Sequence, residues 1–345
     1  MVMENREIPP TTPLPSIIKI IGDGCNQVAN RVYLLVIPAI LDLFLLFGPK
    51  LRVDKYLMPF VNSAIQQMRS ASPNTGARQL ETIGAIFSEA LSTVNLFGFV
   101  QTYPIGISVM MGSSGAATPL GYSAEVQLSN ALTILAVIVM MVIIGILLGT
   151  IYHAVIALAV TKKKFDLKAF LLQLLNVVLL YLALIVILAL FSVPYSCIMT
   201  AIIMLAPVLY QFFMLLIIVL ACWLIIPLFY IPHGIFVKNL DFPHAVKESF
   251  KLSSWSSSIT VRFILLSLVL SLGLNIIWTI PEQSSWLIII SIFGHAFVST
   301  ALLASSFILY REIYKWQNEN RSFLEWRKAN VRFIKIIKKE PENHD

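Results

Sequence analysis

Charge is what this sequence has least of. Asp, Glu, Lys and Arg make up 12% of 345 residues, against about a quarter in a soluble domain, which excludes a single water-soluble globule. The shortage is local. No charged residue occurs from Val126 to Thr161, Ala169 to Val237, Phe263 to Pro281 or Gln283 to Tyr310, and uncharged apolar runs of this kind are membrane spans. Cysteine is scarce too. Cys25, Cys197 and Cys222 lie far apart with no C-x-x-C spacing, so they read as small hydrophobes and imply neither a disulfide framework nor a metal site. The compact catalytic signatures H-E-x-x-H, G-x-S-x-G, a Walker-type loop, G-x-G-x-x-G and the kinase set are all missing, which disfavours a motif-bearing enzyme. No cofactor is implied.

What is present is 58% hydrophobic residues and a net charge of +7. The pattern predicts an all-α, polytopic six-helix transmembrane bundle. Residues 1–30 form a polar, proline-bearing N-terminal segment whose Ile17, Ile18, Ile20 and Ile21 around Lys19 suit the membrane interface. A first span covers 31–49 and holds Asp42. It is too late in the chain for a signal peptide, and Phe47-Gly48-Pro49-Lys50 lacks a small-residue cleavage pattern. Residues 50–130 are too long for a plain connection. Leu57, Phe60, Val61, Ala64, Ile65 and Met68 have helical spacing, as do Leu80, Ile83, Phe87, Ala90, Leu91 and Val94. With a turn at Ser72, Pro73, Asn74 and Gly76 they form an amphipathic hairpin, followed by an irregular, glycine- and proline-bearing loop that suits a lid or partner contact. Residues 131–310 hold five further spans, near Ala131–Val160, Ala169–Ser192, Met204–Phe236, Ile259–Ile280 and Trp286–Tyr310. The stretch Cys197–Val237 is about 41 residues, roughly 60 Å as a helix against a hydrocarbon core of ~30 Å. It therefore tilts strongly or breaks near Pro207.

Positive charge sets the orientation. Lys162, Lys163, Lys164 and Lys168, then Lys238, Lys247, Lys251 and Arg262, then Arg311 and Lys315 follow alternate spans. The positive-inside rule places these loops and both termini in the cytoplasm of an inner (plasma) membrane, and the 50–130 insertion outside. In the 311–345 tail, Trp316, Phe323, Trp326 and Phe333 alternate with Arg321, Arg327, Lys328, Arg332 and Lys335. This is a cytoplasmic amphipathic helix suited to anionic lipid. Nucleic acid is not needed to explain the excess charge, since it belongs to the membrane surface.

Polar residues inside spans are the functional candidates, because an Asp at the centre of a membrane helix costs about 2.5–3.5 kcal/mol on insertion scales. Asp42, Gln211, Asn275 and His295 fall at similar depth in four spans and could line a polar path or hold a proton relay. The bland alternative is hydrogen bonding between helices. Gly145, Gly149 and His153 are four residues apart, so a small-residue face suited to close packing runs into a histidine, with Asn176 on the next span. Ser267 and Ser271 begin a polar stripe on the fifth span. One histidine beside amides makes a poor metal site.

Past Asp241-Phe-Pro-His, the residues Ala245-Val-Lys-Glu-Ser249-Phe-Lys-Leu252 precede another span. This arrangement, over about 50 residues, resembles the membrane domain of bacterial glycerophosphoryl diester phosphodiesterases and of related uncharacterised six-span proteins. Ser285–Glu312 is similar to the last span of an uncharacterised bacterial membrane family. The resemblance implies a multi-pass fold. It implies no phosphodiesterase activity, because no catalytic domain accompanies it. Three functions stay open: a non-enzymatic membrane component packing with lipid, a protein partner or a second copy of itself; a transporter or permease subunit; and an intramembrane enzyme.

Overall fold

A computed structural model describes residues 12–71, 77–113, 115–323 and 325. Helix dominates. In chain order the helices are α1 (Ile17–Ala29), α2 (Val36–Phe47), α3 (Asp54–Ala71), α4 (Ala77–Thr93), α5 (Ala131–Thr161), α6 (Leu167–Leu205), α7 (Tyr210–Leu228), α8 (Ile231–Lys238), α9 (Phe242–Trp278) and α10 (Leu287–Glu319). The strands are two or three residues long: β1 (Lys50–Arg52), β2 (Ala117–Thr118), β3 (Gly121–Tyr122) and β4 (Glu125–Gln127). β1 pairs in parallel with β4, and β2 with β3 in antiparallel.

Five helices are long and apolar enough to cross a membrane, and six if one bent pair counts as a span. That pair differs from the expected first span. α1 turns by 94° into the helical stretch Val32–Phe47 and lies against α10, burying Ile20, Gly24 and Val28. Gly24 permits the approach, because a Cβ there would overlap Ser305 and the Ala301 carbonyl. The segment before α1 is also tied to α10: Trp316 Nε1 donates to Thr12 O at 2.8 Å and Asn320 Nδ2 to Thr12 Oγ1 at 2.8 Å.

Two more boundaries moved. α6 runs 39 residues through Pro194 to Leu205 and breaks only at the 3-10 turn Pro207–Leu209, so the connection expected after Ser192 is helical. The apolar surroundings leave the helix as the only economical way to pair that backbone. The amphipathic stretch after Asp241 is the first part of the unbroken 37-residue α9, whose Ala245, Ser249, Leu252 and Ser253 face inward.

The helix pair α3 and α4 forms the expected hairpin and packs chiefly on itself, with Gly84 against Ile65. Its turn residues lie outside the described residues. Its base is fastened where β1 meets β4: Arg52 bonds Glu125 at 3.1 Å and Val94 O at 3.1 Å. Lys50 Nζ reaches the Leu45 and Leu46 carbonyls that end α2, meeting acceptors a helix terminus leaves open. Burial, with Arg52 nearby, holds the Lys50 amine down to about 8.

The most consequential packing is between α5 and the chain that follows the hairpin. Residues 101–110 are non-helical and pass along the Gly145/Gly149 face of α5, with Ile105 and Ile107 fully buried. A Cβ on Gly149 would strike the Ile105 carbonyl and stand 3.2 Å from Gly106 Cα, and one on Gly145 would strike the Val100 carbonyl. The glycine face therefore receives a loop backbone, where the spacing alone suggested a helix. Replacing Gly149 with Ala should destabilise the protein by roughly 1–3 kcal/mol, as overpacking does. Gly273→Ala, with nothing within 4 Å of the new methyl, should cause no loss. Thermal unfolding of the two purified variants in the same detergent checks the contrast.

Candidate functional site

A loop inserted among apolar helices brings backbone N–H and C=O groups that water cannot reach, and each needs a partner. Side chains of α2, α6 and the α9–α10 connection bond the loop's backbone, and one from α10 meets a loop side chain. Asp42 Oδ1 on α2 accepts from Met110 N and Met111 N, both at 2.8 Å. On α6 the Tyr181 hydroxyl accepts from Ile105 N at 3.1 Å and donates to Ile105 O at 2.9 Å. On α10 His295 Nε2 meets Ser108 Oγ at 3.2 Å. Gln283, in the α9–α10 connection, accepts from Gly115 N at 3.0 Å where the loop leaves the bundle. Asp42 and His295 thus converge on one loop and contact it separately. Asp42 Oδ2 has no partner among the described residues.

Gly145 and Gly149 pack against this loop, whereas the remaining predicted residues have no hydrogen bond to it among the described residues. Gln211 is exposed on α7 and Ser271 on α9, while Asn275 is half-buried. Ser267 Oγ is buried without a hydrogen-bond partner among the described residues. Asn176 ties helices together: its Oδ1 accepts from Phe242 N, at the start of α9, at 2.8 Å, and its Nδ2 donates to Leu172 O. Arg321 is exposed beyond the end of α10 and pairs with Glu325. Arg327, Lys328, Arg332 and Lys335 lie outside the described residues.

A second polar cluster forms where α7 gives way to α8. Pro227 and the turn at Phe229–Tyr230 interrupt the helix, and α9 closes the gap. Ser249 Oγ donates to Pro227 O at 2.5 Å and accepts from Tyr230 N at 3.1 Å, and Ser253 Oγ donates to Ile226 O at 3.1 Å. The break turns His233 inward. Its Nδ1 faces Phe229 O at 3.1 Å and its Nε2 faces Ser306 Oγ at 2.8 Å. His153 on α5 is built alike, with Nδ1 2.9 Å from Gly149 O. Both rings lie against Phe307, and Phe236 stacks on His153.

Beside these two rings is a cavity of about 380 Å³, walled by Leu180 and Leu184 of α6, Ile225 and Leu228 of α7, Pro104 of the inserted loop, and α10. Among the described residues no charged side chain lines it. Among the described residues no three His, Cys, Asp or Glu side chains are grouped so as to hold a metal ion. Comparisons with protein-family models, with curated proteins and with solved structures found no match, so the geometry alone carries the reading.

His233, Ser249 and Tyr181 were not singled out in the sequence. His233 could have been, since it is an ionisable residue inside an uncharged run and such residues mark functional sites by default. Ser249 and Tyr181 carry no such signal, because their partners are backbone atoms of distant segments. The Asp42 arrangement is testable. Asp42→Leu leaves two buried N–H groups unpaired, each costing about 1–3 kcal/mol, whereas Asp42→Asn keeps an acceptor. Hydrogen–deuterium exchange at Met110 and Met111 should accelerate strongly in the Leu variant and much less in the Asn variant.

Proposed function

We propose that the chain is a non-enzymatic, multi-pass component of a bacterial inner (plasma) membrane, where it packs with lipid or with a protein partner. The observation that carries this reading is the surface of α7 and the second half of α6. α7 has no buried residue along its 19 positions. Phe212, Leu216, Val219 and Trp223, together with Val186, Leu190 and Val193 of α6, are apolar and exposed. A helix apolar on all sides belongs in hydrocarbon or against other helices.

In this reading the bent pair and five long helices make six crossings, with both termini cytoplasmic and the α3–α4 hairpin outside. The clustering of basic residues supports the orientation. Arg311 donates to Val160 O at 2.9 Å and Lys163 to Val237 O at 2.9 Å, so the lysine-bearing loops and the end of α10 gather at one end of the bundle. In this reading the end of the bundle that carries Arg321 meets anionic lipid. A transport path asks for polar side chains facing one another along a passage. Here Asp42 and His295 are engaged by the inserted loop, while Gln211 and Ser271 face outward, which favours the component reading.

Native mass spectrometry from mild detergent tests the function. Bound lipid or a second polypeptide is expected, and a bare monomer counts against the proposal. Cysteines introduced singly at the exposed Tyr122 and Lys164 test the orientation. An impermeant maleimide should label the Tyr122→Cys protein in intact cells and the Lys164→Cys protein only after permeabilisation. The opposite pattern would overturn the topology.

A further inference from the structure

The cavity between α6, α7, α8 and α10 has a chemistry of its own. Its volume of about 380 Å³ falls within the roughly 300–1,000 Å³ of ligand pockets. Of its lining residues Leu184 is half-buried and Ile225 is exposed, which assigns its mouth to the side of α6 and α7. If these helices cross a bilayer, as the proposed function holds, that mouth opens sideways into the hydrocarbon. An occupant therefore arrives from the lipid phase and is mostly apolar.

The polar part of the wall narrows the class. It consists of two imidazoles and one hydroxyl, with no cation, so a phosphate or carboxylate drawn inside would be desolvated without a counter-charge. A plain hydrocarbon is also a poor match. His153 is only 4% exposed. A carbonyl oxygen can only accept, so the contact with Gly149 O places the proton of the neutral ring on Nδ1. Nε2 is left as a lone-pair acceptor, and it has no hydrogen-bond partner among the described residues. His233 differs, because its Nε2 is already against Ser306. The free acceptor in an otherwise apolar chamber calls for one uncharged O–H donor on an apolar chain.

We propose that this cavity binds a neutral lipid bearing a hydroxyl, of the long-chain alcohol or acylglycerol class, with the hydroxyl donating to His153 Nε2 and the chain lying between α6 and α7. His153 acts as an acceptor and no covalent step is involved.

The test uses the full-length protein in mild detergent and a hexadecanol probe carrying a diazirine in its chain. After irradiation, peptide mapping should place the label on the segments around Leu180–Leu184, Ile225–Leu228 and Leu303–Phe307. Unlabelled hexadecanol should compete at least fivefold better than hexadecane or hexadecyl phosphate. His153→Leu should bring hexadecanol and hexadecane to equal potency, a change of selectivity that loss of packing alone would not produce. Leu184→Trp, at the half-buried mouth, should abolish labelling while leaving thermal unfolding unchanged, and it keeps the site testable if the His153 variant does not fold. Equal competition by hexadecyl phosphate, label mapped elsewhere, or full labelling of folded Leu184→Trp would overturn the site. Alcohol labelling of a chain that native mass spectrometry finds bare would sink the component reading alone. Copurifying partners without alcohol labelling would sink the site alone.

Discussion

The structure depends on one constraint: a peptide group placed among apolar helices must find its hydrogen bonds inside the protein. Helices meet it unaided, which is why α6 continues through Pro194 and α9 absorbs a stretch whose sequence is amphipathic. The constraint bites where the backbone is not helical, at residues 101–110 and at the α7–α8 break. In both places the polar side chains of the neighbouring helices are matched to particular peptide groups. Asp42 takes two N–H groups, Tyr181 both the N–H and the carbonyl of Ile105, and Ser249 one carbonyl and one N–H. Irregular backbone at this depth is tolerated only where it is buried in protein or lines a cavity, and here it does both.

The same constraint governs the helix ends. The last carbonyls of a helix have no partner within it, and a cation nearby also suits the negative end of the helix dipole. Gln27 and Arg31 of the bent first pair both reach Ala159 O, and Arg311 reaches Val160 O, so the end of α5 is held by α1 and α10 together. Lys238, after reaching Glu248, lies 3.2 Å from the centre of the Tyr314 ring. The basic residues that mark topology in the sequence thus have specific structural partners as well. That double role explains why they gather in contact with the helix ends.

How far the sequence could be read follows from what each signal measures. The charge gaps report apolar length, and the helices α5, α6, α8 and α10 start or end close to where those gaps predict. The 3.6-residue spacing located α3 and α4 for the same reason. Spacing does not report the identity of the partner. Gly145 and Gly149 advertise a close approach, and a helix or a loop satisfies that equally; only the tertiary structure shows that the visitor is Ile105. Asp42 and His295 were legible as costly intramembrane groups, but their joint target is a segment between 60 and 190 positions away in sequence, and no local pattern encodes that pairing. Placing α1 on α10 was missed because its isoleucines fit an interfacial helix just as well; the discriminating residue is Gly24, whose value appears only against Ser305.

The cavity is a consequence of these solutions. Were α7 and α8 one straight helix, its side chains would run on past α10 and His233 would not turn inward; the break at Pro227, closed by Ser249 and Ser253, is what moves it. The inserted loop contributes Pro104 to the wall that His153 also lines. Packing between a bent helix and an irregular loop leaves a space that regular helix-to-helix ridges would have filled. Two histidines face that space in different states. One meets Ser306, while the Nε2 of the other has no hydrogen-bond partner among the described residues. In the proposed complex that acceptor takes its hydrogen bond from a ligand that brings a donor and no charge.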